Sequence, residues 1–139
     1  MARTTLLNAW EPRMLSVLRI ATGLLFLEHG TQKLLGFPPG GQGAPELMTL
    51  AGIGAVMELV GGALIVLGLF TRPVAFLLSG QMAVAYWMFH FKAANPYPVN
   101  NMGDAAILYC FVFLYLVFAG PGPWSIDGYF NRRRPLSVR

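Results

Sequence analysis

Charge is what this chain has least of. Asp, Glu, Lys and Arg make up 12% of its 139 residues, about half the share usual in a soluble domain. There is a single cysteine, Cys110, so an internal disulfide and dithiol chemistry within the chain are excluded. Neither a flavin nor a nucleotide motif occurs, and any electrons must come from another protein or from the substrate. No long internal repeat is present. A small-x-small cleavage site is also missing after the first apolar run, which marks that run as a retained helix rather than a signal sequence.

What fills the chain instead is apolar. Hydrophobic residues account for 55%, and the mean hydropathy is +0.55. A helix needs about 20 predominantly apolar residues to cross a hydrocarbon layer, and four runs approach that length: 14–35, 49–70, 74–91 and 103–119. Together they predict an all-α, polytopic membrane protein, a four-transmembrane-helix antiparallel bundle forming a single domain. The breaker-rich stretches Gly36 to Leu47 and Lys92 to Met102 read as extracytoplasmic loops. Thr71-Arg72-Pro73 reads as a tight cytoplasmic turn, since proline suits the first turn of a following helix.

Arginines set the expected orientation. Arg3, Arg13, Arg72, Arg132, Arg133, Arg134 and Arg139 fall on one side of a four-span topology. The positive-inside rule makes that side the cytoplasm, with both termini inside and a basic tail over 124–139. The net charge of +4 is thereby assigned to topology and to anionic lipid of an inner membrane rather than to nucleic acid.

Polar residues inside the runs are the candidates for function, because an ionisable group in a bilayer is costly and needs a partner or a wet cavity. Glu28, His29, Gln32 and Lys33 lie on neighbouring strips of one broad face of the first run, paired four residues apart. Glu58 sits in the second run among Gly54, Gly61 and Gly62, with Arg19 or His29 as its expected partner. Arg19, nearer the cytoplasmic end, is expected to snorkel or to form a structural ion pair. Gly23, Phe26 and Gly30 share a face that would allow close helix approach, and small-residue faces permit a homodimer. Met82, Tyr86 and His90 recur at four-residue steps in the third run, with Trp87 beside them, and Asp104 opens the fourth as an N-terminal acid suited to the helix dipole. At about 1.5 Å per residue, Glu28, His29, Lys33, Glu58, His90 and Asp104 converge on the extracytoplasmic half. An outward-facing polar pocket is the simplest arrangement that satisfies them.

The motifs Glu28-His29-Gly30-x-x-Lys33-Leu34, Glu58-Leu59-x-Gly61-Gly62, Gly68-Leu69-x-Thr71-Arg72, Met82-x-x-Ala85 with His90, and Gly120-Pro121-Gly122 with Ser125-x-Asp127 occur in that order. In this the chain resembles the DoxX family of small bacterial and archaeal membrane proteins, from about Leu15 to Asp127. The resemblance implies a four-helix membrane bundle and a link to quinone-dependent oxidation, oxidative-stress complexes or resistance to quinone-like compounds.

A quinone site needs an apolar slot, donors to the carbonyls and groups that exchange protons. His29, Gln32 and Lys33 can donate, Glu28, His29 and Glu58 can exchange protons, and Tyr86 and Trp87 can wall the ring, with His90 and Asp104 at the mouth. The leading expectation is a membrane subunit that binds or reduces a quinone within an oxidoreductase system, with a separate redox partner protein. A non-enzymatic small-solute or proton-coupled transporter is the alternative. A third reading has His29 and His90 ligating haem or a metal.

Overall fold

The computed structural model describes residues 6–41 and 43–133. Arg3, Arg134 and Arg139, used above for orientation, lie outside the described residues. Among those described, the structure is all-helical: α1 (Leu6–Leu35), α2 (Leu50–Leu67), α3 (Thr71–Ala85) with a π-helical continuation (Tyr86–His90), α4 (Pro98–Asn101), α5 (Asp104–Ala119) and α6 (Ile126–Arg133). Of the four expected spans, α2 alone passes on length and hydropathy together, while α5 is apolar but shorter.

Several boundaries differ from the sequence reading, each for a physical reason. The first helix starts at Leu6 rather than Met14 and runs through Pro12. Its early residues Leu6, Leu7, Trp10 and Met14 fall on one face, and that apolar stripe continues into Val17 and Leu18. Helix α2 stops at Leu67 because Gly68 takes the left-handed conformation (φ 64°) and its N–H closes back onto the last turn. Helix α3 begins at Thr71, ahead of the expected Val74. The carboxylate of Asp127, far along the chain, accepts from the N–H groups of Phe70 (3.0 Å) and Thr71 (2.8 Å). A distant cap of this kind leaves no mark in the local sequence. The second loop holds the one-turn helix α4, started by Pro98.

Packing resolves into two antiparallel pairs, α1 with α2 and α3 with α5, joined mainly through α2 and α3. Glycines set the first pair. A Cβ added at Gly23 would meet the Val66 backbone at 2.9 Å, one at Gly62 would meet the Leu27 backbone at 2.9 Å, and one at Gly30 would overlap Leu59. These contacts march in a single antiparallel register, so the seam fixes which residue of α1 stands opposite which residue of α2. In the second pair Ser79 Oγ donates to the Cys110 carbonyl at 2.8 Å. The shared core is Phe26, Ile65, Leu78, Met82, Phe113 and Leu116, with Ala75 and Ala106 between them.

One end of the bundle is closed by side-chain hydrogen bonds to helix termini. Arg19 is fully buried, and its guanidinium donates to Ile65 O (2.6 Å), Val66 O, Pro121 O (2.7 Å) and Trp124 O. The expected snorkelling or ion pair is replaced by this carbonyl cage, because the carbonyl end of α2 is the negative end of its dipole and attracts a cation. Arg72 does the same for Val117 O and Phe118 O at the end of α5. Ser16 Oγ accepts from the Trp124 N–H at 3.1 Å, completing the attachment of the segment between α5 and α6.

Candidate functional site

The opposite end is open. A cavity of about 770 Å³ lies between the two helix pairs, reached by α1, α2, α3, the π segment and the start of α5. Its floor is aromatic. Phe26, itself buried, meets Tyr109 edge-on at 5.2 Å and Phe113 at 4.9 Å between ring centroids. Met57 and Met82 continue the apolar wall, and thioether side chains adapt to the shape of a planar guest.

Polar groups are few and grouped. Lys33 Nζ donates to Glu58 Oε1 at 2.7 Å, and the pair lines the cavity. The glycine seam makes this pairing: Gly30 against Leu59 leaves Lys33, one turn outward, facing Glu58. The Glu58 side chain is 7% exposed, whereas that of Lys33 is 42% exposed. The carboxylate is therefore the fixed partner and the ammonium the solvated one. Gln81 Nε2 donates to the Gly54 carbonyl at 3.0 Å, one turn along α2 from Glu58. That bond assigns the amide orientation, since a carbonyl can only accept.

His29 stands near the rim with its ring perpendicular to Tyr109, 6.1 Å between centroids. His90 enters from the far side. Its Nδ1–H donates to Asn101 O at 3.2 Å, since a carbonyl only accepts. The π turn at Tyr86–His90 contains one residue more than an α-turn and re-aims the residues at its outer end.

Three comparisons bear on what this arrangement is. The model of the DoxX family matches residues 14–91. An "Uncharacterized protein" of Haemophilus influenzae is 41% identical over 134 residues, covering 91% of this chain and 98% of its own. "Inner membrane protein YphA" of Escherichia coli is 37% identical, over 86% of this chain and 92% of its own. The chain belongs to the DoxX family. It is thus a membrane protein of that family, and its matched stretch carries the α1–α2 pair, the Lys33–Glu58 pair and His90. "Putative oxidoreductase CatD" of Bacillus subtilis is more distant, 33% identical over 72% of this chain and 75% of its own. No solved structure matches the chain.

Within this DoxX protein the expected site residues separate into two groups. His29, Lys33, Glu58 and His90 all line the cavity. Glu28, Gln32, Tyr86, Trp87 and Asp104 do not. Glu28 and Gln32 form the neighbouring strip of α1, rotated off the cavity by about 100° per residue; Glu28 is exposed, and Gln32 Nε2 donates to Pro38 O at 3.3 Å in the loop above. Tyr86 packs against Trp87 at 5.3 Å and Phe91 at 6.4 Å between centroids, while Trp87 is largely exposed on the outer surface. Asp104 is the exposed first residue of α5, beside Ala105 and Ala106 of the lining.

The partner of Glu58 is Lys33, in place of the expected Arg19 or His29. Arg19 is held at the closed end. Tyr109, Gln81, Phe26 and Met57 line the cavity without having been singled out as site residues. For Tyr109 the sequence offers only a phenol within an apolar run. Tyr115 offers the same and faces outward, so that signal does not discriminate. Both histidines lie in one cavity, and no cluster of three metal-ligating side chains occurs among the described residues.

Proposed function

We propose that this protein binds a quinone in the open-end cavity and serves as the membrane subunit of an oxidoreductase system. The observation that carries the reading is the cavity itself. It is a large, mostly apolar slot in a membrane protein, floored by aromatic rings, with a Lys33–Glu58 pair, two histidines and an amide on its walls. Lys33 and His29 supply hydrogen bonds to a quinone carbonyl, and Glu58 and His90 supply proton-exchanging groups within reach of the same space. A relative whose name contains the word oxidoreductase is in keeping with this reading. Electrons come from a partner protein or from the substrate.

The same reading sets the protein in the inner membrane as a four-span bundle of α1, α2, α3 with its π extension, and α5. Outward-facing Leu24, Leu25, Val60, Phe76, Leu77 and Phe111 are exposed, as lipid contact requires. By the positive-inside rule, Arg72, Arg132 and Arg133 at the closed end support a cytoplasmic closed end, with the cavity opening to the other side.

Binding of a decyl-substituted benzoquinone to purified protein, followed by quenching of intrinsic fluorescence, tests the proposal. Saturable binding that weakens about tenfold in His29→Ala and Lys33→Met supports it. Glu28→Gln, outside the cavity, leaves the affinity within about twofold. No saturable binding to the wild-type protein overturns the reading.

A further inference from the structure

Two buried oxygen atoms in the cavity walls have no donor. One is Glu58 Oε2 and the other Gln81 Oε1. Glu58 is 5% exposed and lines the cavity. Its Oε1 is engaged by the Lys33 ammonium, and a carboxylate in such a pair is acceptor-only. Gln81 is in the same position for a different reason. Its amide nitrogen is committed to the Gly54 carbonyl, so its oxygen is the atom left over. Gly54 and Glu58 are one helical turn apart on α2, which brings these two acceptors to one stretch of wall. A buried acceptor left without a donor costs on the order of a hydrogen bond or more, so two on one wall favour a guest that donates.

We infer that the cavity takes its guest through hydroxyl groups donated to Glu58 Oε2 and Gln81 Oε1, so that the diol form of a quinone, a hydroquinone-type diphenol with an apolar substituent, is the preferred ligand over the dione. The inference rests on the quinone reading above and narrows it to one redox form. A dione has only acceptors and would set its oxygens against these two. The diol turns both contacts into hydrogen bonds, and its ring lies on Phe26, Tyr109 and the two methionines. Preference for the diol also acts on the bound couple. Each tenfold difference in affinity raises its two-electron potential by about 30 mV, which draws electrons toward a quinone held in the site.

The test uses the full chain in lipid nanodiscs under anaerobic conditions, with three probes that share ring and tail: a decyl-substituted benzoquinol, its quinone and the quinol dimethyl ether. The quinol is expected to bind at least about tenfold more tightly than either of the others. Glu58→Gln reverses the order of quinol and quinone. Lys33 retains the amide oxygen of the new side chain, so its NH₂ faces the cavity and meets a dione carbonyl. Such a reversal cannot come from loss of folding, which would weaken all three probes alike. If the ether binds as tightly as the quinol, or the quinone binds equally well, the donor inference is overturned and the quinone site stands. If none of the three binds, both are overturned.

Discussion

Two charged side chains are withdrawn from solvent among the described residues, Arg19 and Glu58, and they are satisfied by opposite means. Glu58 has one neutralising partner and one oxygen without a partner. Arg19 has no such spare capacity on the side that matters, since its donors are spent on four carbonyls from α2 and the segment before α6. Arg19→Leu is expected to destabilise the protein by roughly 3 kcal/mol or more, because the hydrogen bonds from one guanidinium to all four carbonyls are lost together. Arg19→Lys rescues only part of that loss, since a single ammonium cannot span the planar fork's targets. Thermal unfolding in detergent reads both variants. Sequence reasoning identified Arg19 and Glu58 as residues needing partners. It named Arg19 or His29 for Glu58 where the partner is Lys33, because the pairing depends on how two helices are rotated about their own axes.

At the scale of elements, the glycine seam between α1 and α2 is what converts a string of polar residues into a site. The face shared by Gly23 and Gly30 was legible from helical periodicity, as was the breaker-rich loop after α1. Which of two adjacent strips of α1 would look inward was not legible, because Glu28–Gln32 and His29–Lys33 have equal claims in the sequence. The backbone contact of Gly30 with Leu59 decides between them. Gly30→Ala therefore forces the pair apart where it meets backbone rather than a flexible side chain. The expected cost is about 1–3 kcal/mol, together with a weaker quinone affinity as Lys33 is drawn off Glu58. A substitution at Gly80, where an added Cβ would meet nothing within 4 Å, is the matched control for both measurements. The π turn at the end of α3 was equally hidden, since no residue type announces it.

Across the whole molecule, the family's motifs divide between the two ends. Glu58, Lys33 and His90 belong to the open cavity; Arg72, Ser125 and Asp127, with the glycines around them, build the closed end. The all-helical class followed from composition, while the long-range cap of α3 by Asp127 did not. If the closed end faces the cytoplasm, a cysteine introduced at Gly40, in the loop beside the cavity mouth, is labelled by an impermeant maleimide in intact cells. One introduced at Asn131 in α6 is labelled only after permeabilisation. The reverse pattern would invert the orientation and place the cavity on the cytoplasmic side.

The cage around Arg19 also orders events during synthesis. Two of its four carbonyls belong to Pro121 and Trp124, which are 102 and 105 residues further along the chain. Until the segment after α5 has been made, this guanidinium has only the two α2 carbonyls of its cage. A chain that stops at Ala119 lacks the other two for good. The cage around Arg19 is thus complete only once translation has passed the last long helix.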